Sequence, residues 1–369
     1  MSRLRVVVMP GSGAAVELRH VPEPVLEAGS ALLRVELSEV CGTDVALRDG
    51  RLAGVPYPII PGHVSAGRLE KIRGTITDMD GTPFREGDLV TFLDVHRTCN
   101  ACWYCLVAKA TTRCPRRKVY GITYGLADGL TGGWADAVVL KPGTLCLGLG
   151  DAASERFMTG GCSLPTALHA VERAEVAIGD TVLVLGSGPV GLSAVIVSLM
   201  RGAAAVLCVG APAARLEAAR AVGAAATCDI TEHDAGERLA WVRERTAGRG
   251  ADITIEATGA PEAVAQAMRF TRDAGRVVVA GQYADHGDAS FNPHADLNRK
   301  HLEVRGCWGS DFSHFARAVR IAADPERSRP WSRIPTARYG LERANQALDD
   351  VAARSVVKAL IVPGVDSPE

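Results

Sequence analysis

From residue 181 the chain spells an apolar strand, a glycine turn and an apolar helix without a break: Thr181-Val-Leu-Val-Leu185, then Gly186-Ser187-Gly188-Pro189-Val190-Gly191, then a helix over 190–201. A G-x-G-x-x-G run alone is weak evidence. Between a strand and a helix its glycines let backbone N–H groups approach a pyrophosphate, whose charge sits on the helix N-terminus. The same grammar repeats, with strands expected at Ala205–Val209, Ile253–Glu256 and Arg276–Ala280 and helices at Ala213–Val222 and Pro261–Phe270. Repeated strand–turn–helix units imply an α/β fold, a doubly wound parallel sheet that binds a nicotinamide dinucleotide at Gly186 to Gly191.

The end of the second strand decides which dinucleotide. An NAD site wants an acid about 20 residues past the turn for the ribose 2′-hydroxyl. Here that position is Gly210, and Arg215 follows one helical turn on. With no carboxylate to repel a 2′-phosphate and an arginine to attract it, NADP is favoured over NAD. The competing reading is that Arg215 only covers the ribose or pairs with Glu217 or Glu244.

At 369 residues the chain exceeds what one core usually holds. Before this sheet, Leu4–Met9, Ala31–Leu37, Leu89–Leu93 and Ala135–Leu140 read as short strands between Gly and Pro punctuation. After about Asn298 short segments return, with one helix near Leu341–Ala352. The expected organisation is a β-rich domain over 1–157, the dinucleotide domain over 158–297, and a return to the first domain over 298–369. With 41 basic and 42 acidic side chains, nucleic acid is not expected as a partner. No run of eighteen apolar residues exists, so no membrane span is expected. No leader is recognisable either, and the cytoplasm is the expected compartment.

Four of the ten cysteines fall in one short stretch, Cys99-x2-Cys102-x2-Cys105-x8-Cys114, within a lobe of about 95–118. Four thiolates satisfy tetrahedral Zn²⁺ and leave no position for water or substrate, so this is a closed, structural site. Disulfides or an iron–sulfur cluster are the alternatives, but the expected compartment is reducing and disulfides have no reason to repeat a two-residue interval. Cys146, Cys208, Cys228 and Cys307 stand among apolar neighbours and read as core thiols.

Taken together, Cys41-Gly-Thr-Asp44, Gly62-His63-x3-Gly67, the cysteine lobe, Gly161-Cys162-x3-Thr166-Ala167, the glycine turn and Glu256-Ala-Thr-Gly259 resemble a zinc-dependent alcohol dehydrogenase of the medium-chain dehydrogenase/reductase superfamily. The resemblance spans essentially the whole chain. It implies a GroES-like catalytic domain interrupted by a Rossmann domain, an active site in the cleft between them, and a homodimer or homotetramer. Cys41, His63 and Cys162 match the catalytic zinc ligands, which with the lobe makes two zinc ions per chain. Two thiolates and an imidazole leave one tetrahedral position open, as a working zinc requires. Asp44 matches the carboxylate that orients the ligand histidine. Thr43 matches the hydroxyl that takes the substrate proton, and Thr166 the residue packed against the nicotinamide. Either threonine could instead be a turn or cap residue.

Two positions depart from the family pattern. Val64 replaces the Glu that usually follows the ligand histidine, and Ala46 replaces a histidine of the proton relay. His96, just before the lobe, is a candidate substitute. The implied function is interconversion of a small-molecule alcohol and its carbonyl by hydride transfer to or from NAD(P), with a secondary alcohol or polyol expected from the sorbitol and threonine dehydrogenase-like branch. A reductase of activated C=C or C=N bonds on the same fold is the alternative, and a non-catalytic zinc-stapled binding protein a more remote one. Val95, Trp134 and Trp308 are expected to shape the pocket.

Overall fold

Ser30–Val40 is buried along nearly its whole length, as befits a central strand of a seven-stranded sheet. The computed structural model describes residues 3–150 and 153–364. In the sheet the order is Thr336–Tyr339, Lys358–Ile361, Ser30–Val40, Ser65–Arg73, Leu89–Phe92 and Cys146–Gly148, with Ala137–Leu140 also paired to Ser30–Val40. Every pairing is antiparallel except that of Thr336–Tyr339 with Lys358–Ile361. Short antiparallel strands with long excursions let loops carry the site, and both zinc-ligand clusters lie in this unit.

The second sheet is six-stranded and wholly parallel, in the order Ala226–Asp229, Ala205–Gly210, Thr181–Leu185, Ala251–Glu256, Thr271–Val279 and Glu303–Gly306. The strand order reverses on either side of Thr181–Leu185, so the glycine turn opens at the switch point where such sheets bind ligands. Helix Pro189–Met200 is buried over most of its length, which explains why its sequence is apolar all round.

The chain divides into a unit made of Met1–Cys162, Asp311–Ser328 and Thr336–Glu369 and one made of Ser163–Ser310 and Arg329–Pro335. The parallel sheet therefore runs later than the 297 expected from sequence. Its last strand, Glu303–Gly306, is a half-exposed edge and carries no apolar run by which to be read. Ala226–Asp229, the opposite edge, was hidden for the same reason. Helix Phe312–Ala323 was not foreseen either; Asp311 caps it, accepting hydrogen bonds from the backbone N–H groups of Ser313 and His314.

Candidate metal and cofactor sites

Cys41 ends the central strand and starts the short helix Gly42–Arg48. Its Sγ accepts from the Thr43 N–H at 3.3 Å, and the Asp44 carboxylate accepts from the Cys41 N–H at 2.8 Å. This reciprocal cap fixes where the sulfur points. His63 is set by a turn only glycine can make: Gly62 has φ +90°, and a Cβ there would lie 2.5 Å from the Trp134 ring. Trp134 is fully buried beneath this turn and belongs to its scaffold rather than to a pocket wall.

Nε2 of His63 lies 3.9 Å from Cys41 Sγ, and the ligand atoms of Cys41, His63 and Cys162 all fall within 4.8 Å of one another. A tetrahedral zinc holds S and N donors about 3.6 Å apart, so the set has the right span. On the far side of the ring, Nδ1 faces Asp44 Oδ1 at 4.0 Å, and neither buried atom has another hydrogen-bond partner. Asp44 thus stands where it would hold the imidazole with Nε2 free for a metal. The thiols of Cys41 and Cys162 share a hydrogen bond that holds Cys41 well below, and Cys162 well above, the usual thiol range. Burial pushes the His63 imidazole down, but the Cys41 thiolate outweighs it and raises the ring to about 10.

In the lobe the sulfurs of Cys99, Cys102, Cys105 and Cys114 also lie within 4.8 Å of one another, all as free thiols. Cys102 and Cys105 are 3.5 Å apart, well beyond the disulfide bond length of about 2.05 Å. The Ala101 N–H hydrogen bond lowers Cys99 to about 6, while desolvation raises Cys105 to about 11. Trp103 and Val107 are 62% and 63% exposed, so the lobe is not held by a packed core of its own. A metal is the natural organiser.

In the other unit, a Cβ on Gly191 would lie 1.9 Å from the Gly186 carbonyl oxygen, and Gly186 has φ +109°. These glycines keep open the cradle a pyrophosphate needs, with Gly188 as the N-cap of the following helix, which Pro189, Val190 and Gly191 open. Gly210 ends its strand against Ser187, and Arg215 Nη1 is 3.8 Å from where a Cβ on Gly188 would be. The fully buried Glu256 accepts from the N–H groups of Thr258 and Gly259, which accounts for the Glu256 to Gly259 motif as a braced loop. Thr166 is half-buried on helix Ser163–Ala174 of this unit, and Thr43 is half-buried beside Cys41.

The proton-relay candidate is otherwise engaged. His96 Nε2 lies 3.1 Å from the Pro142 carbonyl, which can only accept, so the ring donates there and Nδ1 accepts from Tyr124 Oη at 2.5 Å. Both ring nitrogens are occupied and burial lowers its pKa. Sequence reasoning missed Glu39, fully buried, whose carboxylate accepts from the Cys162 N–H at 2.6 Å. Glu39 is one of three charged residues in Ser30–Val40, with Arg34 and Glu36, so no distinct signal marked it.

Residues 27–150 match the alcohol dehydrogenase GroES-like domain and residues 189–324 the zinc-binding dehydrogenase domain. The chain is 33% identical to 5-exo-hydroxycamphor dehydrogenase of Pseudomonas putida, covering 94% of this chain and 95% of that one. An alcohol dehydrogenase from Thermotoga maritima superposes with a TM-score of 0.91 at 31% identity, covering 98% of this chain and all of the other. A zinc-binding dehydrogenase from Sinorhizobium meliloti, solved with NADP bound, gives 0.84 at 25% identity, over 98% of this chain and 100% of that one.

Proposed function

Because the chain belongs to the zinc-binding alcohol dehydrogenases of the medium-chain dehydrogenase/reductase superfamily, we propose that it interconverts a secondary alcohol and its ketone, with NADP preferred over NAD. The observation that carries this reading is the Cys41, His63 and Cys162 set, whose donor atoms lie within 4.8 Å of one another; a zinc held by three protein ligands would keep a coordination position for a substrate oxygen. Zinc held there supplies a Lewis acid, which lowers the pKa of an oxygen acid it polarises by roughly 8 units.

The chain's own residues do the rest. Asp44 keeps the His63 ring oriented with Nε2 toward the metal position. The Thr43 hydroxyl, on the residue whose N–H already bonds Cys41 Sγ, takes the proton leaving the alcohol. Beyond Thr43 that proton passes to water or the cofactor ribose, because position 46 is a buried alanine and His96 is locked. Thr166 packs against the nicotinamide, the Gly186 to Gly191 cradle binds the pyrophosphate, and Arg215 pairs with the 2′-phosphate beside Gly210. Cys99, Cys102, Cys105 and Cys114 hold the second, structural zinc. The bicyclic alcohol in the name of the Pseudomonas putida relative supports a secondary alcohol, and the NADP in the Sinorhizobium meliloti structure supports the cofactor choice. The protein assembles as a homodimer or homotetramer, which light scattering on a sizing column would measure.

The test is absorbance of reduced cofactor during incubation with NADP⁺ or NAD⁺ and a panel of cyclic, acyclic and polyol secondary alcohols. Turnover should be faster with NADP⁺ and with alcohols whose carbinol carbon is secondary. Silence with every alcohol, and with the matching ketones in reverse, would reject the reading.

A further inference from the structure

The three ligands around the catalytic metal position are held by different kinds of backbone. Cys41 follows a central strand and His63 a packed glycine turn, but Cys162 sits in a two-residue turn between helices Ala153–Gly160 and Ser163–Ala174, outside any sheet ladder. Its N–H donates to Glu39 Oε2 at 2.6 Å. Glu39 is in turn paired through Oε1 with Lys358 Nζ, and both side chains are essentially inaccessible, at 1% and 0%. The register explains the meeting: Leu360 lies opposite Glu39, so Lys358 is on the same face one diagonal step away.

Glu39 touches the surroundings of every ligand. It lies two residues before Cys41, its N–H donates to the carbonyl of Val64, next to His63, at 3.0 Å, and its carbonyl accepts from Trp134 Nε1 at 3.0 Å. Gly161 makes room for it: with φ +49°, a Cβ there would lie 2.0 Å from Glu39 Oε2 and 2.8 Å from Lys358 Nζ. A buried ion pair is rarely kept for stability alone, since apolar residues of the same size do as well or better. This one is spent on the main chain of a metal ligand.

We propose that the Glu39–Lys358 ion pair is a positioning device for the catalytic zinc, holding Cys162 in the ligand set through its main-chain N–H while Gly161 leaves space for the carboxylate. The inference rests on Cys162 being a zinc ligand. Lys358 keeps Glu39 aimed, and neither residue touches substrate.

The experiment follows zinc loss from the full-length, zinc-loaded protein into a chromogenic chelator, with the lobe zinc as internal control, and records the absorption spectrum after cobalt replaces the catalytic ion. The charge-balanced, apolar variant Glu39→Leu/Lys358→Met removes the acceptor without stranding a charge. It should release the catalytic zinc about 10–100-fold faster than the parent, keep the lobe zinc, and shift the thiolate-to-cobalt bands. Glu39→Gln/Lys358→Met, which retains an acceptor oxygen, should recover part of the loss. Gly161→Ala approaches from the other side and should release the same ion faster even if the apolar double variant does not fold. Parent-like zinc release and an unchanged cobalt spectrum in the folded variants would overturn the inference alone. A parent protein that binds only the lobe zinc would overturn it together with the ligand assignment.

Discussion

A Cβ on Gly210 would lie 2.5 Å from Oγ of Ser187, the residue between the first two glycines of the cofactor turn. The absence of an acid at 210 is therefore built into the packing of two loops. Gly210→Asp alone should weaken both cofactors by displacing Ser187. Ser187→Gly/Gly210→Asp clears the space, and should shift the ratio of kcat/KM for NADP to that for NAD by about 10–100-fold toward NAD, which is about 1.4–2.8 kcal/mol. Steady-state kinetics with both cofactors decide it; an unchanged ratio would place the 2′-site elsewhere.

Asp44→Asn should leave the fold intact but replace the carboxylate oxygen that faces His63 Nδ1. Catalytic zinc affinity or turnover should fall about 10–100-fold, with the lobe zinc unaffected. Assays before and after adding zinc measure this, and full activity in the metal-limited state would contradict the role.

Without metal the His63 ring is raised to about 10, so at neutral pH it carries a proton that zinc must displace. Acid favours the protonated, metal-free state. Catalytic zinc should be lost faster on going from about pH 8 to about pH 6, with activity restored by zinc on return. Retention independent of pH over that interval would count against the ligand set.

Asp311→Ala removes the cap of helix Phe312–Ala323 and should cost about 1 kcal/mol at neutral pH, read from denaturant unfolding. Its contact with His314 holds the Asp311 carboxyl well below the usual range. A depressed folded-state pKa gives stability that is present above the unfolded value of about 3.9 and lost as pH falls through the folded one. The difference between parent and variant should therefore shrink only in strong acid.

Cys114→Ser should reduce bound zinc by one ion per chain and open the lobe to proteolysis near Trp103 and Val107, because these side chains are exposed and cannot replace the metal by packing. An intact, protease-resistant lobe would mean that something other than metal organises it.

What could be read from the sequence was what is local. Strand, glycine turn and helix lie within a few residues of one another, and Thr181–Leu185 and Pro261–Phe270 form over the expected residues. The lobe cysteines are likewise neighbours in sequence. Cys41, His63 and Cys162 are not, and only the family resemblance joined them; the fold supplies the physical link by setting a strand end, a tight turn and an interhelical turn against each other. Glu39 and Lys358 are separated further still, and nothing local hinted that they meet, because Ser30–Val40 carries Arg34 and Glu36 beside Glu39. The edge strands of the parallel sheet were illegible because half-exposed strands need no apolar pattern.

Lys358 lies 196 positions after Cys162, since 358 − 162 = 196. At a synthesis rate of about 5–20 residues per second, all three ligands leave the ribosome roughly 10–40 seconds before the cation that steadies one of them. During that interval the edge of Ser30–Val40 that will receive Lys358–Ile361 stays open and Glu39 has no counter-charge. Until Lys358–Ile361 pairs with Ser30–Val40, the brace proposed for Cys162 is incomplete.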